Sequence, residues 1–370
     1  MAFVVLVIEI LLQGFYFATV GDFIFRRALP PIYEADPIRC YRVKADFEYT
    51  HRTNEFEFEI HTNSHGLRTG PDHYEYSEEK DPDVYRILIT GPSFAFGWGA
   101  RYEMSYSTLI ERGLTIPGKR VEVINLGTPS QGPAHQLCWL KKVGHRYDPD
   151  MIFHTSYGSV VTARAATCPE DLSCPAVENG QLVPKSVSTT ARIKASAKRL
   201  GIVFYGYYVY NALFPPEEPS NVDASKSLHN APESDSTTDA GLNKIVDSYA
   251  DYRDYVEDIV GQDTKVAFLY LPYSYQVHHG DVGRFSNVTS EDIPVGERQI
   301  SAAIDRLHDR GIPILNSMPV LREGAKRERM YYWLDIHLTE PGNRVVAESS
   351  IPFLRDLILE GQDAREVVSD

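Results

Sequence analysis

The feature that most constrains the fold is a series of five short apolar runs, each separated from the next by a stretch with helical periodicity. Short apolar runs bounded by Gly, Pro or Asp are typical of buried strands. Strands that alternate with helices in this way indicate an α/β domain with a parallel, doubly wound sheet. The predicted strands span residues 86–90, 121–126, 151–154, 265–271 and 313–316, and the predicted helices span 102–113, 134–144, 242–260, 295–310 and 341–359.

Charge and motif content exclude several classes of function. The chain of 370 residues carries 37 Lys and Arg against 51 Asp and Glu, a formal net charge of −14. Nucleic-acid binding requires clustered basic residues, and no basic stripe is present, so no nucleic-acid partner is predicted. No second ligand pair stands at zinc-site spacing, so neither a metal nor a cofactor is predicted.

The N-terminal stretch is apolar enough to suggest a membrane anchor. Residues 2–25 are interrupted mainly by Glu9, Gln13 and Asp22, and Arg26 and Arg27 end the run. About 20 apolar residues suffice to cross a bilayer, so we predict a single transmembrane helix over residues 1–27. The alternatives are a buried amphipathic helix and a cleavable signal peptide, which fits less well because no basic segment precedes the apolar run.

Two signals bear on the orientation of this anchor, and they disagree. The arginines after the span favour a cytoplasmic location for the rest of the chain. The Cys-x5-Cys loop of Cys168 and Cys174 predicts a local disulfide, which requires an oxidising compartment. The alternative for this loop is two unpaired thiols. We expect an inner-membrane, single-pass protein with most of its chain in the periplasm.

The remaining chain divides into segments of different composition. Residues 28–80 form a lead-in segment with short strands, because 55–60 alternate between polar and apolar side chains. The α/β domain is predicted to comprise residues 81–160 and 241–362, with 363–370 as a tail. An insertion, 161–240, contains an aromatic helix around 202–214 and a polar, acidic loop expected to be mobile. The helix either packs over the domain or contacts a membrane or partner subunits.

Ser93, Asp335 and His337 carry the chemistry that the spacing permits. Ser93 directly follows the first predicted strand, where open parallel sheets place their ligands. A serine nucleophile needs a base, and the base needs a group to orient it. Asp335 and His337 stand two residues apart, so an extended turn places both side chains on one side. The alternatives are that Ser93 caps a helix and that His337 is an ordinary surface histidine.

These residues lie in blocks that resemble the SGNH (GDSL-type) hydrolase superfamily, particularly its membrane-anchored bacterial branch. Residues Gly91-Pro-Ser-Phe-Ala-Phe-Gly97 resemble the family's first block, and Asn125-Leu-Gly127 resembles its second. Asp335-Ile-His337 resembles the family's last block, and residues 63–68 resemble the segment that precedes the first strand in that branch. The resemblance implies a three-layer α/β/α, flavodoxin-like domain in which Ser93 is the nucleophile, His337 the base and Asp335 its orienter.

The resemblance also implies an oxyanion hole, in which the sequence departs from the family. The donors would be the N–H groups of Ser93 and Gly127 and an asparagine side chain of the third block. Here the third block has no asparagine, and Gly158 or Ser159 stands at the expected place, where the Ser159 hydroxyl would be a weak donor. Loss of one such donor typically costs about 10²–10³ in rate. Pro92 replaces the aspartate of the first block and removes a backbone N–H beside the nucleophile.

Two functions therefore remain open from the sequence. The first is a membrane-anchored ester hydrolase or O-acyltransferase that acts on acyl esters of an envelope glycan or lipid, with full or weakened activity. The second is a non-catalytic accessory subunit of a larger membrane complex that has reused the fold. Pro92, the absent asparagine and the polar residues Glu9 and Gln13 within the predicted span favour the second.

Overall fold

The computed structural model describes most of the α/β domain and part of the insertion. The described residues are 2–20, 23–24, 30–53, 55–158, 168, 172, 174–183, 197, 200–213, 239–281, 292–333 and 335–369. Ser159 and the predicted acidic loop, apart from its last two residues, lie outside them.

Twelve strands and ten helices are numbered here along the described chain. The strands are β1 Tyr33–Asp36, β2 Cys40–Val43, β3 Glu48–Arg52, β4 Glu57–Thr62, β5 Arg68–Thr69, β6 Val84–Thr90, β7 Arg120–Asn125, β8 Met151–Tyr157, β9 Ala176–Glu178, β10 Gln181–Val183, β11 Lys265–Leu271 and β12 Ile314–Asn316. The helices are α1 Ala2–Val20, α2 Ser93–Phe96, α3 Tyr106–Gly113, α4 Pro133–Lys142, α5 Gly201–Leu213, α6 Asp239–Val260, α7 Ser274–Val277, α8 Asp292–Asp309, α9 Met318–Ala325 and α10 Glu340–Ser369.

The central sheet has five parallel strands in the order β7-β6-β8-β11-β12. Counted along the chain, this is the order 2-1-3-4-5 of the flavodoxin-like doubly wound fold. The predicted parallel α/β sheet is thereby confirmed. Each predicted strand coincides with an observed one to within a few residues. All seven residues of β6 are buried, as expected for a strand covered by helices on both faces.

Helices cover both faces of the sheet and give it two separate cores. Because side chains alternate along a strand, Ile87 and Ile89 face one side and Leu88 the other. Ile87 and Ile89 pack in a cluster with residues of α3, α9 and α10. Leu88 packs in a second cluster with residues of α4, α6 and α8. The domain therefore has the three α/β/α layers that were predicted.

The lead-in segment contains two small antiparallel sheets, and one of them packs against the start of the domain. Strands β3, β4 and β5 are paired in that order. Strand β4 alternates between exposed and covered side chains, as its sequence predicts. The covered residues Phe56, Phe58 and Ile60 pack in one cluster with Phe96 and Trp98, which lie within or just after α2.

The predicted disulfide between Cys168 and Cys174 is wrong. Cys174 is bonded to Cys40, 134 residues away, with the Cα atoms 5.1 Å apart. Cys168 is bonded to Cys138 of α4, 30 residues away, with the Cα atoms 4.6 Å apart. The tertiary fold brings each thiol of the Cys-x5-Cys loop to a cysteine of a different element, and this long-range proximity prevails over closeness in sequence.

Helix α1 stands where the sequence predicts a membrane-spanning helix. Among the residues that the structure describes, no helix is both long and apolar enough to cross a membrane.

Helix α1 pairs with the aromatic helix α5 of the insertion. Glu9 accepts hydrogen bonds from the N–H groups of Gly201 and Ile202 at the start of α5, at 2.7 and 3.0 Å. Gln13 donates to Glu9 at 2.7 Å. Glu9 thus satisfies two unpaired N–H groups of a helix N-terminus, and Gln13 supports Glu9 through its own hydrogen bond.

Candidate active site

The site begins at the sharp turn that follows β6. Gly91 has φ +150°, and a Cβ atom there would lie 2.8 Å from both the Ala95 and Thr155 Cβ atoms. Pro92 precedes the short helix α2, which Ser93 opens. As the first helical residue, Ser93 has a backbone N–H without an acceptor inside the helix. The turn therefore presents both the hydroxyl and the N–H of Ser93 at the carboxyl end of the sheet.

Two side chains from outside α2 brace this helix. Arg68 of β5, only 1% exposed, donates to the carbonyl oxygens of Phe96, Gly97 and Ala100 at 2.8, 2.6 and 2.6 Å. Asn125, at the end of β7, donates to the carbonyl oxygen of Ala95 at 2.7 Å. Burial lowers the pKa of Arg68 to about 10, so the guanidinium remains charged at neutral pH.

The structure brings Asp335 and His337 to Ser93 on a tight turn before α10. His337 Nε2 lies 2.6 Å from Ser93 Oγ, and Nδ1 is hydrogen-bonded to Asp335 Oδ1. The His337 backbone N–H also donates to Asp335 Oδ1, at 3.0 Å. Because a carboxylate only accepts, Nδ1 carries the proton and Nε2 is left to accept from the serine hydroxyl.

The electrostatics of the pair fit these roles. Burial raises the pKa of Asp335, but attraction by His337 and the hydrogen bonds from its ring and backbone N–H outweigh this effect. The pKa of Asp335 therefore lies below its usual value, and the group remains an acceptor at neutral pH. The ring of His337 lies near those of Phe94 and Trp98, with ring centroids 4.7 and 6.1 Å away.

The two predicted oxyanion-hole residues are placed differently. Gly127 packs directly on α2, because a Cβ atom there would lie 2.2 Å from the Phe96 nitrogen. Its N–H, however, donates to the Asn125 side chain at 2.8 Å. Ser159 lies outside the described residues. Asn125 thus has two roles that the sequence did not assign, since it supports α2 through its amide nitrogen and holds Gly127 through its oxygen.

Sequence reasoning also missed Arg68, Phe94 and Trp98. Arg68 lies in the lead-in stretch that resembles the family, and this resemblance was the only available signal. Phe94 and Trp98 adjoin Ser93 in the chain, but nothing in their spacing indicates that both contact the histidine ring. Their role depends on the approach of the turn that carries His337.

Comparison with known proteins gives similarity at the level of three-dimensional structure only. No family model matches the sequence, and no curated protein matches it. A member of the lipolytic protein G-D-S-L family from Veillonella parvula is 10% identical, with a TM-score of 0.36, over 73% of this chain and 97% of its own.

Two esterases give similar values. A catalytic mutant of an acetylxylan esterase from Geobacillus stearothermophilus is 8% identical, with a TM-score of 0.39, over 75% of this chain and 96% of its own. An aryl esterase from M. smegmatis, in an inhibitor-bound form, is 13% identical, with a TM-score of 0.34, over 74% and 99%. At these identities and TM-scores, the matches carry no activity over to this chain.

Proposed function

We propose that this protein is a serine hydrolase or O-acyltransferase of the SGNH type that cleaves acyl esters through Ser93. The observation that carries the proposal is the 2.6 Å contact between Ser93 Oγ and His337 Nε2, with Asp335 hydrogen-bonded behind the ring. Nucleophile, base and orienter in hydrogen-bonded sequence are the geometric signature of an activated serine. The family resemblance implies esters of glycans or lipids as the substrate class.

In the proposed mechanism, His337 Nε2 takes the hydroxyl proton as Ser93 Oγ attacks the ester carbonyl carbon. The resulting imidazolium is stabilised by Asp335, and the Ser93 N–H is positioned to donate to the developing oxyanion. His337 then gives the proton to the leaving alkoxide as the carbon–oxygen bond breaks, which leaves an acyl-serine. Water or an acceptor hydroxyl attacks this ester in turn, and His337 again serves as base and then acid.

The test is labelling with a fluorophosphonate probe, together with turnover of p-nitrophenyl acetate. We expect the wild type to react and Ser93→Ala to lose both labelling and turnover, with an unchanged unfolding midpoint. The matched control is Ser77→Ala, an exposed serine outside the site. A folded wild-type protein that neither labels nor turns over the ester contradicts the proposal, as does a Ser93→Ala variant that labels as the wild type does.

A second candidate is the non-catalytic accessory subunit of a membrane complex. One observation in its favour is that the Gly127 N–H donates to the Asn125 side chain instead of pointing freely toward an oxyanion. Another is that α1 exposes apolar side chains, such as Phe3 and Leu11 at 76% and 65% exposure. Under this proposal, Ser93→Ala changes nothing, whereas removal of residues 1–27 releases the protein from washed membranes. Retention of the truncated protein on washed membranes contradicts it.

We further propose that the protein functions on the extracytoplasmic side of the inner membrane. All four cysteines are paired in disulfides, and such pairs persist in oxidising compartments.

A further inference from the structure

We propose that Glu48, His61 and His73 form a binding site for one Zn²⁺ ion, separate from the candidate active site. One ligand atom from each residue lies within 4.8 Å of the other two. Imidazole nitrogen and carboxylate oxygen are ordinary zinc ligands, and three such ligands with a water complete a tetrahedral site. The proposed ester chemistry uses none of these residues.

Two of the ligands stand on rigid, paired strands. Glu48 of β3 and His61 of β4 are direct cross-strand partners in the antiparallel register. Side chains at such positions have Cβ atoms about 4.5–5.5 Å apart and share one face of the sheet. The burial pattern of β4 places His61 on the outer face, away from the covered residues Phe58 and Ile60. The outer face therefore holds these two ligands side by side.

The third ligand is carried by a loop that is fastened to the same sheet. His73 lies four residues after β5, and its Nδ1 is 2.6 Å from the carbonyl oxygen of Thr62, next to His61. Asn63 donates to the carbonyl oxygen of Tyr74 at 3.2 Å, which ties the loop a second time. His73 itself has φ +49°, a left-handed conformation uncommon for a residue with a side chain. His73 therefore adopts an uncommon backbone conformation, and this conformation places its imidazole ring beside Glu48.

Each imidazole has one nitrogen engaged by an outer acceptor. The carbonyl oxygen of Thr62 only accepts, so His73 Nδ1 carries a proton and donates outward. His73 Nε2 lies 3.0 Å from Glu48 Oε1, which also only accepts, so a bound ion would replace the proton held between these two ligand atoms. His61 Nε2 lies 3.0 Å from Glu59 Oε2. Histidine ligands of metals characteristically donate their other N–H to a carbonyl or carboxylate in this manner. Both rings therefore have the outer partners that a metal site requires.

One buried nitrogen of the cluster lacks a hydrogen-bond partner among the described residues. His61 Nδ1 is shielded from solvent and has no hydrogen-bond partner among the described residues. An unsatisfied buried polar atom is unfavourable and rare in folded proteins. A Zn²⁺ ion at the cluster would satisfy a nitrogen lone pair that the protein leaves unused.

The ligand atoms would have to move slightly closer together to bind an ion, since they now lie within 4.8 Å of one another. Zinc bonds of about 2.0–2.2 Å place neighbouring ligand atoms roughly 3.4 Å apart. The Glu48 side chain is 69% exposed and His73 is 25% exposed, so both have room to close on an ion beside the more buried His61. Glu59, with its side chain 68% exposed, is available to hold the His61 ring in place.

The position of the cluster predicts what bound zinc would do. The ion would join β3, β4 and the loop after β5. The opposite face of this small sheet packs on Phe96 and Trp98, beside the nucleophile. A ligand that binds only the folded state raises the temperature of unfolding. We therefore expect zinc to stabilise the protein, and to do so equally in Ser93→Ala, because the cluster does not depend on the triad.

The experiment uses the full chain, stripped with EDTA and moved to chelator-free buffer. Zinc binding is measured by calorimetry, the melting temperature with and without ZnCl₂, and the coordination geometry by visible absorption of the Co²⁺ form. The variants are Glu48→Gln, which alters an exposed side chain and should leave folding intact, and His73→Ala. The matched control is His145→Ala, an exposed histidine on the short helix Gly144–Tyr147.

We expect one equivalent of zinc, a higher melting temperature with zinc, and tetrahedral Co²⁺ bands in the wild type, in His145→Ala and in Ser93→Ala. Loss of an outer partner alone typically costs about 10–100-fold in metal affinity, so loss of a ligand in Glu48→Gln or His73→Ala should cost at least that much. The proposal is overturned if the wild type binds no zinc, or if Glu48→Gln binds zinc as tightly as His145→Ala. Zinc binding is expected in Ser93→Ala as in the wild type. The zinc result is therefore independent of whether the proposed ester chemistry is confirmed.

Discussion

At the scale of single residues, the nucleophile is held by side chains that lie far from it in the sequence. Pro92 stands where the family that the sequence resembles has a bracing aspartate. Arg68 instead donates to the carbonyl oxygens of Phe96 and Gly97, at the end of α2 and just after it, and Asn125 donates to that of Ala95. A charged donor that satisfies several buried carbonyl groups is a strong interaction, and its removal leaves those groups unpaired. The orientation of Ser93 therefore depends on the lead-in segment.

Replacement of Arg68 by methionine should destabilise the protein by about 3 kcal/mol, because three buried carbonyl oxygens lose their donor. Urea unfolding measures the change. The control is Arg112→Met, an exposed arginine on α3, for which we expect a change within about 0.5 kcal/mol. Equal stabilities for the two variants would show that Arg68 does not brace α2. Slower fluorophosphonate labelling of folded Arg68→Met would connect the brace to the reactivity of Ser93.

At the scale of elements, the two disulfides fasten the insertion to the rest of the protein. Cys174, just before β9, is bonded to Cys40 at the start of β2. Cys168 is bonded to Cys138 of α4, which covers one face of the central sheet. The two bonds thus anchor neighbouring positions of one segment to two different parts of the fold, which a bond within the Cys-x5-Cys loop would not do.

Peptide mapping without reduction should recover Cys40 linked to Cys174 and Cys138 linked to Cys168. A loop of 30 residues closed by the second bond contributes about 3–4 kcal/mol in the chain-entropy model. The double variant Cys138→Ala/Cys168→Ala should therefore unfold at lower urea concentration by about that free energy. Recovery of a peptide that links Cys168 to Cys174 would contradict the observed pairing.

At the scale of the whole molecule, a buried polar network links the central sheet to a helix that covers it. His154 of β8 is 2% exposed, and its Nδ1 lies 2.9 Å from Thr90 Oγ1. Thr90 Oγ1 is 3.2 Å from the hydroxyl of Tyr252 on α6, so the network joins two strands and a helix. Burial lowers the pKa of His154 to about 3. The folded protein therefore keeps this histidine neutral well below the pH at which an unfolded chain protonates it.

Folding stability should fall as the solution is made acidic. The unfolded state binds a proton at His154 near pH 6.5, whereas the folded state does so only near pH 3, so stability is full above pH 6.5 and is lost as the pH falls toward 3. Between pH 7 and pH 5, the wild type should lose about 2 kcal/mol more unfolding free energy than His154→Gln. Urea titrations at the two pH values measure this difference, with His145→Gln as the exposed control. Parallel losses in wild type and His154→Gln would refute the assignment.

The sequence by itself determined the parallel α/β sheet and the three residues Ser93, Asp335 and His337 that meet at the candidate active site. Both depend on local patterns. Buried strands appear as short apolar runs, and Asp335 and His337 lie two residues apart, close enough for their relation to be read directly. Ser93 follows from its place after the first strand, since the carboxyl ends of parallel strands meet at one edge of the sheet.

Only the tertiary structure decided the disulfide pairing, the bracing of α2 by Arg68, the hydrogen bond that occupies the Gly127 N–H, and the cluster of Glu48, His61 and His73. In most of these cases the partners are separated by many residues, and their meeting depends on strand register and on how elements pack. The Gly127 bond spans only two residues, but it depends on a side-chain orientation that the sequence does not encode locally. A pattern along the chain reports periodicity and spacing, whereas these contacts arise from packing free energy shared over the whole fold.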